Sequence, residues 1–214
     1  MKVSEAIRDR RSVRAFLPDD VPIDVISQIL DQARWAPSWA NAQGWDVFVV
    51  KGGALSRVKS MLTARFAAEA APVPDIRMPQ RGEWPDHIQE RMTYRRPAPG
   101  AAPQPPMRPG LADVYGASCL LLFAVHEQLA VEYACFDSGL LVENVCLLAH
   151  EQGLGTCIMA MAVRFGDALH ELLPQAEGRR FVVGVAIGHP DPDSEFNRAE
   201  RERCPLGEIA TFLD

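Results

Sequence analysis

Val25, Ile26, Ile29, Leu30 and Ala33 recur at the spacing of one helical face, and Pro37 stops the run. A shorter helix is expected to begin at Ser4, a good N-cap residue, and to run toward Arg10. Trp45 to Lys51 is rich in Val, Phe and Trp and is bounded by glycines, which predicts a strand, and Leu55 to Glu69 then reads as helix. Ser118 to His126 is an apolar run of strand length. Tyr133 to Gln152 is apolar around most of its circumference, the pattern of a helix buried on several sides. Gly155 to Met161 and Phe181 to Gly188 predict further strands, with a helix near Phe165 to Leu173 between them and a short one from Leu206. Strands interspersed with helices in this way give an α/β or α+β class.

Residues 72 to 109 break the pattern, because they hold 10 of the 17 prolines. Proline removes backbone donors and restricts its predecessor, so regular structure is not expected over most of this stretch. The proline-free piece from Asp86 to Arg95 is the exception and can form a short helix. A loop this long is either a functional lid or an unstructured excursion. The 214 residues otherwise read as one domain, 1–214, carrying this insertion at about 70–110.

A formal charge of −6 argues against general nucleic-acid binding, although a local pocket for one small anion fits it. The longest apolar run, Gly116 to Val125, is shorter than the roughly 20 residues of a membrane span. No apolar stretch follows the charged N-terminal residues, so no signal peptide is expected. Five cysteines without a C-x-x-C pair read as free thiols in a reducing, cytoplasmic setting. The five histidines lack ligand spacing, and no metal site is expected.

There is no phosphate loop of the G-x-x-x-x-G-K-[ST] kind, no H-E-x-x-H and no G-x-S-x-G. Arginine, however, gathers at both ends: Arg8, Arg10, Arg11 and Arg14 surround Ser12, and Arg198, Arg201 and Arg203 lie in the tail. Two such groups can converge on one phosphate, since Arg offers planar paired donors; on charge alone, a solvated surface explains them better. The third element is Ala36-Pro37-Ser38-Trp39-Ala40-Asn41-Ala42-Gln43. Amide side chains between Trp39 and Trp45 suit the edge of a planar heterocycle, and equally a capping turn over core tryptophans.

Taken in order, these pieces resemble the FMN-dependent nitroreductase family. The matching residues are Arg10-Arg11-Ser12-Val13-Arg14 with Phe16, then the Ala-Pro-Ser-x-x-Asn-x-Gln run at 36–43. Gly139 with Glu143-Asn144 and Gly153-Leu154-Gly155-Thr156-Cys157 follow, and Asn197, Arg201, Arg203, Pro205 and Glu208-Ile209 complete the set. Two positions depart from the family's habit: Gly44 stands where proline is frequent, and Ala160 where glycine is frequent.

The resemblance implies an α+β fold around a mixed sheet flanked by helices, built as an intertwined homodimer with FMN at the subunit interface. By position, Arg10, Ser12, Arg201 and Arg203 would hold the phosphate and nearby ribityl oxygens, Arg11 would lie along the ribityl chain, and Arg14 would approach the pyrimidine. Pro37, Ser38, Trp39 and Asn41 would meet the ring from the partner, and the backbone of Met159 and Ala160 would pass its reactive edge. No catalytic side chain is implied, since the flavin carries the hydride chemistry. The implied activity is ping-pong reduction of nitroaromatic, quinone or related conjugated acceptors by NADH or NADPH. Trp84, Arg91, Tyr94, Arg95 and Arg96 of the insertion are the candidates to contact the acceptor. Dehalogenase, flavin-destructase and ring-dehydrogenase members of the same superfamily, and a non-catalytic FMN-binding protein, are the alternatives.

Overall fold

A computed structural model describes residues 1–92, 110–198 and 201–213. Four strands, β1 (Trp45–Lys51), β2 (Cys119–His126), β3 (Gly155–Met159) and β4 (Arg179–Gly188), form one sheet in the order β1-β2-β4-β3. Every neighbouring pair is antiparallel. Parallel pairing enters at β3 through a single bridge between Ser12 and Thr156, and again where Val73 meets Phe165, so the expected mixing of directions is confined to isolated bridges.

β2 shows how the sequence builds the layers. Its side chains alternate between two apolar clusters, as the twofold period of a strand requires. Leu120, Leu122 and Ala124 face Val58 and Leu62 of α3 (Gly52–Ala67) and Leu169 of α6 (Gly166–Leu172). Cys119, Leu121 and Phe123 face Ile26 and Ile29 of α2 (Ile23–Ala33) and Leu141, Val145 and Ala149 of α5 (Val131–Glu151). The helices therefore cover both faces, and α5 is the long spine of one layer.

The expected elements appear with small shifts. The first helix, α1 (Val3–Asp9), starts before Ser4, so Ser4 is not its cap. Instead the Glu5 carboxylate turns back to accept a hydrogen bond from the Lys2 backbone N–H at 2.8 Å. In the proline-rich insertion, α4 (Asp86–Arg91) follows Pro85. The start of that insertion is pinned to the body: Val73 exchanges backbone hydrogen bonds with Arg164 and Gly166. One Asp75 carboxylate oxygen also receives the Phe181 N–H at 2.8 Å and lies 3.0 Å from His170 Nε2. Among the described residues no helix is long and apolar enough to cross a membrane. No disulfide joins the cysteines among the described residues, and burial pushes the thiols of Cys119 and Cys146 up to about 12 and about 11.

Candidate functional site

The N-terminal and C-terminal arginines meet at the outer edge of β3. The bridge from Ser12 to Thr156, reinforced by Val13 N–H to Thr156 O at 2.8 Å, lays residues 10–14 along that strand. Gly155 makes this approach possible: a Cβ there would stand 2.7 Å from a Val13 methyl. Arg201 then reaches back to the start of the chain, donating to the carbonyls of Arg8 (2.7 Å) and Arg10. Arg11 donates to the Asn197 carbonyl at 2.9 Å, Arg14 to the Ser12 carbonyl at 3.0 Å, and Arg203 to the Glu202 carbonyl at 2.9 Å. Arg10 alone of these five meets an acid among the described residues, with its Nε 3.4 Å from Glu143 of α5.

Carbonyls satisfy donors without cancelling charge. Burial first, and then Arg11, Arg203 and Arg10, lower the pKa of Arg201 below the ordinary guanidinium value, with Asp9 opposing them. Arg10 Nε is also buried without a hydrogen-bond partner. The cluster thus concentrates like charge, and it borders a cleft of about 290 Å³ whose lining sets Arg10, Arg11 and Arg198 against Asp9 and Asp191, with Asn197, Gly155 and Thr156 between them. An anion offering several acceptor oxygens is the ligand that would relieve both conditions.

Pro37, Ser38, Trp39 and Asn41 lie elsewhere, on a turn held against the other end of α5. Ala40, Asn41 and Gln43 all have positive φ, at 49°, 58° and 50°. Left-handed backbone costs a non-glycine residue roughly 1–2 kcal/mol, so this turn is strained three times over. Cross-bonds hold it: Ser38 Oγ accepts from Gln43 N–H at 2.9 Å, and the Asn41 carbonyl from Gln43 Nε2 at 3.1 Å. Asp137, buried in α5, accepts the Trp39 N–H at 3.0 Å. The Asn41 amide is exposed and keeps its own donors and acceptor available among the described residues.

A second cavity, about 340 Å³, opens between this turn and the first turns of α5. No residue lines both cavities. Asp137 borders one and His150 the other, about 20 Å apart along the helix axis at 1.5 Å per residue. The two cavities therefore lie at opposite ends of α5.

Between them runs the end of β3, an edge strand. Its side chains alternate, with Cys157 and Met159 buried and Ile158 exposed, and Ala160 is exposed as the chain turns away. Of the insertion candidates, Trp84 is half-buried, and its carbonyl accepts from Gln89 Nε2 at 2.8 Å. Arg91 is committed to the tail, 3.2 Å from the Glu208 carboxylate. Tyr94, Arg95 and Arg96 lie outside the described residues.

A model of the nitroreductase family matches residues 7–189. The chain belongs to the nitroreductase family. It is 26% identical to the 4-nitrobenzoate reductase of Pseudomonas putida over 211 residues, spanning 92% of this chain and 89% of the relative. It is 30% identical over 217 residues to nitroreductase NfnB of Mycolicibacterium smegmatis, spanning 96% of this chain and 90% of the relative. The crystal structure of the FMN-dependent nitroreductase NfnB from Mycobacterium smegmatis in complex with NADPH matches with a TM-score of 0.87 at 25% identity, covering 99% of this chain and 97% of that one.

Three residues of this nitroreductase-family site were not assigned roles from sequence. Asn197 accepts the Arg14 N–H at 2.7 Å and donates to the carbonyls of Ala15 (2.8 Å) and Asp191 (2.9 Å), so it fixes the path of the arginine segment. Glu143 offsets Arg10, and Asp137 anchors Trp39. Asp137 did carry a signal: it is an acid on the buried face of an otherwise apolar helix, and such a group needs a partner.

Proposed function

We propose that this nitroreductase-family protein is an FMN-dependent NAD(P)H oxidoreductase that reduces nitroaromatic, quinone or related conjugated acceptors, working as a homodimer. The observation that carries this reading is the arginine cluster. Four guanidinium groups lie within one another's fields, with Glu143 offsetting Arg10 and Asp9 offsetting Arg201, so positive charge stays in excess. A phosphate dianion fits that donor set.

Arg10, Ser12, Arg201 and Arg203 would hold the phosphate end of FMN, and Arg11 the ribityl chain. Arg14, turned back on Ser12 O, would place a fixed cation where negative charge collects on the ring, and Coulomb attraction favours that charge. The unpaired edge of β3 at Met159 and Ala160 offers main-chain donors. Bound FMN supplies the hydride relay between NAD(P)H and the acceptor. The chain's own work is to bind, orient and tune.

The half-sites at opposite ends of α5 favour a dimer in which the 38–41 turn of a second copy completes the site. Gly139 supports it. Glycine in a helix interior costs about 1 kcal/mol relative to alanine, yet a Cβ at Gly139 would meet open space within this chain. Phe136, one turn earlier, is 65% exposed. A second copy crossing α5 at Gly139 accounts for both. The insertion at 70–110, anchored by Val73 and Asp75, is read as a lid over the acceptor. Cysteines that form no disulfide among the described residues suit a cytoplasmic setting.

The test is the visible absorption spectrum of the purified protein before and after anaerobic NADPH or NADH. The expected result is a flavin band that bleaches and returns on adding a nitroarene. No flavin, even after soaking with FMN, would overturn the reading. Gly139→Leu tests the dimer separately: the isolated chain has room for the side chain, so a folded monomer that no longer retains FMN is expected. A Gly139→Leu protein that stays dimeric removes that crossing.

A further inference from the structure

We infer that the cavity beside Trp39 is the subsite for the acceptor's ring, and that it selects uncharged aromatic acceptors over anionic ones. This rests on the proposed flavin reading, which sets the 38–41 turn against the cofactor.

The cavity measures about 340 Å³, near the lower end of ligand sites, which begin at roughly 300 Å³. That is room for one substituted benzene ring. Trp39 and Tyr133 give it aromatic walls, and both side chains stand well exposed in the chain, at 67% and 62%, as walls awaiting an occupant would. The space exists because the remaining positions are small. Ala130 lines it from the N-cap of α5, Ala134 from the helix itself, and Gly44 from the turn. At Gly44, where this sequence departs from the proline frequent in its family, Leu129 moves in: its Cδ1 is 2.5 Å from the site of an added Cβ. The apolar wall is thus shaped by Leu129 lying against Gly44.

Charge narrows the occupant. Asp137 is the one carboxylate in the lining, and no Lys, Arg or His accompanies it. It is 7% exposed and tied to the Trp39 N–H. A benzoate-type acceptor would bring a second carboxylate into an apolar space that already holds one, and the two like charges repel. Nitrobenzene buries the same ring without that cost. This would set the chain apart in preference from the 4-nitrobenzoate reductase it is similar to.

The experiment titrates nitrobenzene and 4-nitrobenzoate into the oxidised wild-type protein by calorimetry, with no reductant present. The same titrations are made on Ala130→Phe, Ala134→Leu and Asp137→Asn. Ala130 is exposed, so its replacement fills the cavity without loading the core; Ala134→Leu fills it from a second position. Nitrobenzene should bind the wild type at least about tenfold more tightly than 4-nitrobenzoate, and each filling variant should weaken nitrobenzene by a similar factor. Asp137→Asn should bring the two ligands close together. Equal binding of both ligands by the wild type, or filling variants with undiminished nitrobenzene affinity, overturns the proposal. FMN content and bleaching by NADPH are recorded on every sample. Nitrobenzene binding that the filling variants abolish, in a protein that never takes up FMN, would sink the flavin reading and keep the subsite. Normal flavin with insensitive binding would sink the subsite alone.

Discussion

The two ends of α5 solve different problems with different means. At the end near His150, charged side chains are fixed by backbone: Asn197 ties three main-chain groups, Arg201 clasps three carbonyls, and Val13 is pressed onto Gly155. At the other end, the 38–43 turn shapes space with small residues and a strained backbone, and one carboxylate holds it to the helix. The first end suits an invariant ligand, bound by charge in one pose. The second suits a ligand whose shape varies. The contrast implies that substitutions near Arg203 act on cofactor retention, whereas substitutions near Gly44 act on acceptor choice.

The largest expected effect separates charge from scaffold at the first end. Arg203 is exposed, and among the described residues its side-chain hydrogen bond is to the Glu202 carbonyl, so Arg203→Ala should leave the thermal midpoint unchanged. It should weaken FMN binding by about 1.5–3 kcal/mol, the usual worth of a charged hydrogen bond. Asn197→Ala should weaken FMN binding as well, but with a lowered midpoint, because it frees the path of residues 11–15. FMN dissociation constants paired with melting curves read both. Unchanged FMN affinity in Arg203→Ala would remove it from the phosphate site.

Gly155→Ala probes how rigid that end is. The new methyl would lie 2.7–3.1 Å from three Val13 carbons, and Val13 is a buried, branched residue with nowhere to turn. Overpacking of this kind costs about 1–3 kcal/mol. It should also prise residues 10–14 from β3, so FMN loss and destabilisation should appear together in denaturant titrations and flavin release. A stable Gly155→Ala protein with normal flavin would mean that the approach of Val13 to β3 does not position the arginines.

How much of this was legible follows from what sequence encodes. The strand at Trp45 to Lys51 and the buried helix α5 were readable because periodicity reports burial. The arginines were readable as a group because charge is visible residue by residue. Which carbonyl each arginine would clasp was not, since Arg8 and Arg201 lie 193 positions apart and only the fold brings them together. Nor was the cavity: a space is defined by side chains that are absent, and Ala130, Ala134 and Gly44 carry no pattern of their own. The Ser4 cap failed for a local reason, because Glu5 could serve the Lys2 N–H and start the helix earlier.

Beneath the rigid end, Cys146 offers a pH-dependent reading of the same packing. Its thiol, buried under Thr156, titrates at about 11 instead of the ordinary 9.0, chiefly through desolvation. Below 9.0 both folded and unfolded chains keep the proton, so stability is unaffected. Between 9.0 and about 11 only the unfolded chain loses it, and stability falls as pH rises. The slope is about 1.4 kcal/mol per pH unit for one thiol. Cys119, raised to about 12, adds a similar slope over a longer range. Denaturant midpoints measured across this range should decline in the wild type and decline less steeply in Cys146→Ala. Parallel slopes would show that the thiol is better solvated than its surroundings imply.

The smallest effect on stability belongs to Gly44→Ala, and it tests whether the acceptor end yields where the cofactor end does not. The added Cβ meets Leu129 Cδ1 at 2.5 Å, a contact as close as any Gly155→Ala would make. The neighbour, however, is the tip of a flexible side chain that is 36% exposed, free to rotate toward solvent. The cost in stability should therefore stay below about 1 kcal/mol, less than a tightly packed core site would exact. The swing of Leu129 would reshape the cavity, so the KM for nitrobenzene should change while NADPH still bleaches the flavin at the wild-type rate. Melting curves and steady-state kinetics on this one variant read both halves. A large loss of stability would show that the acceptor wall is as rigid as the arginine end, and the division of labour between the two ends of α5 would fail.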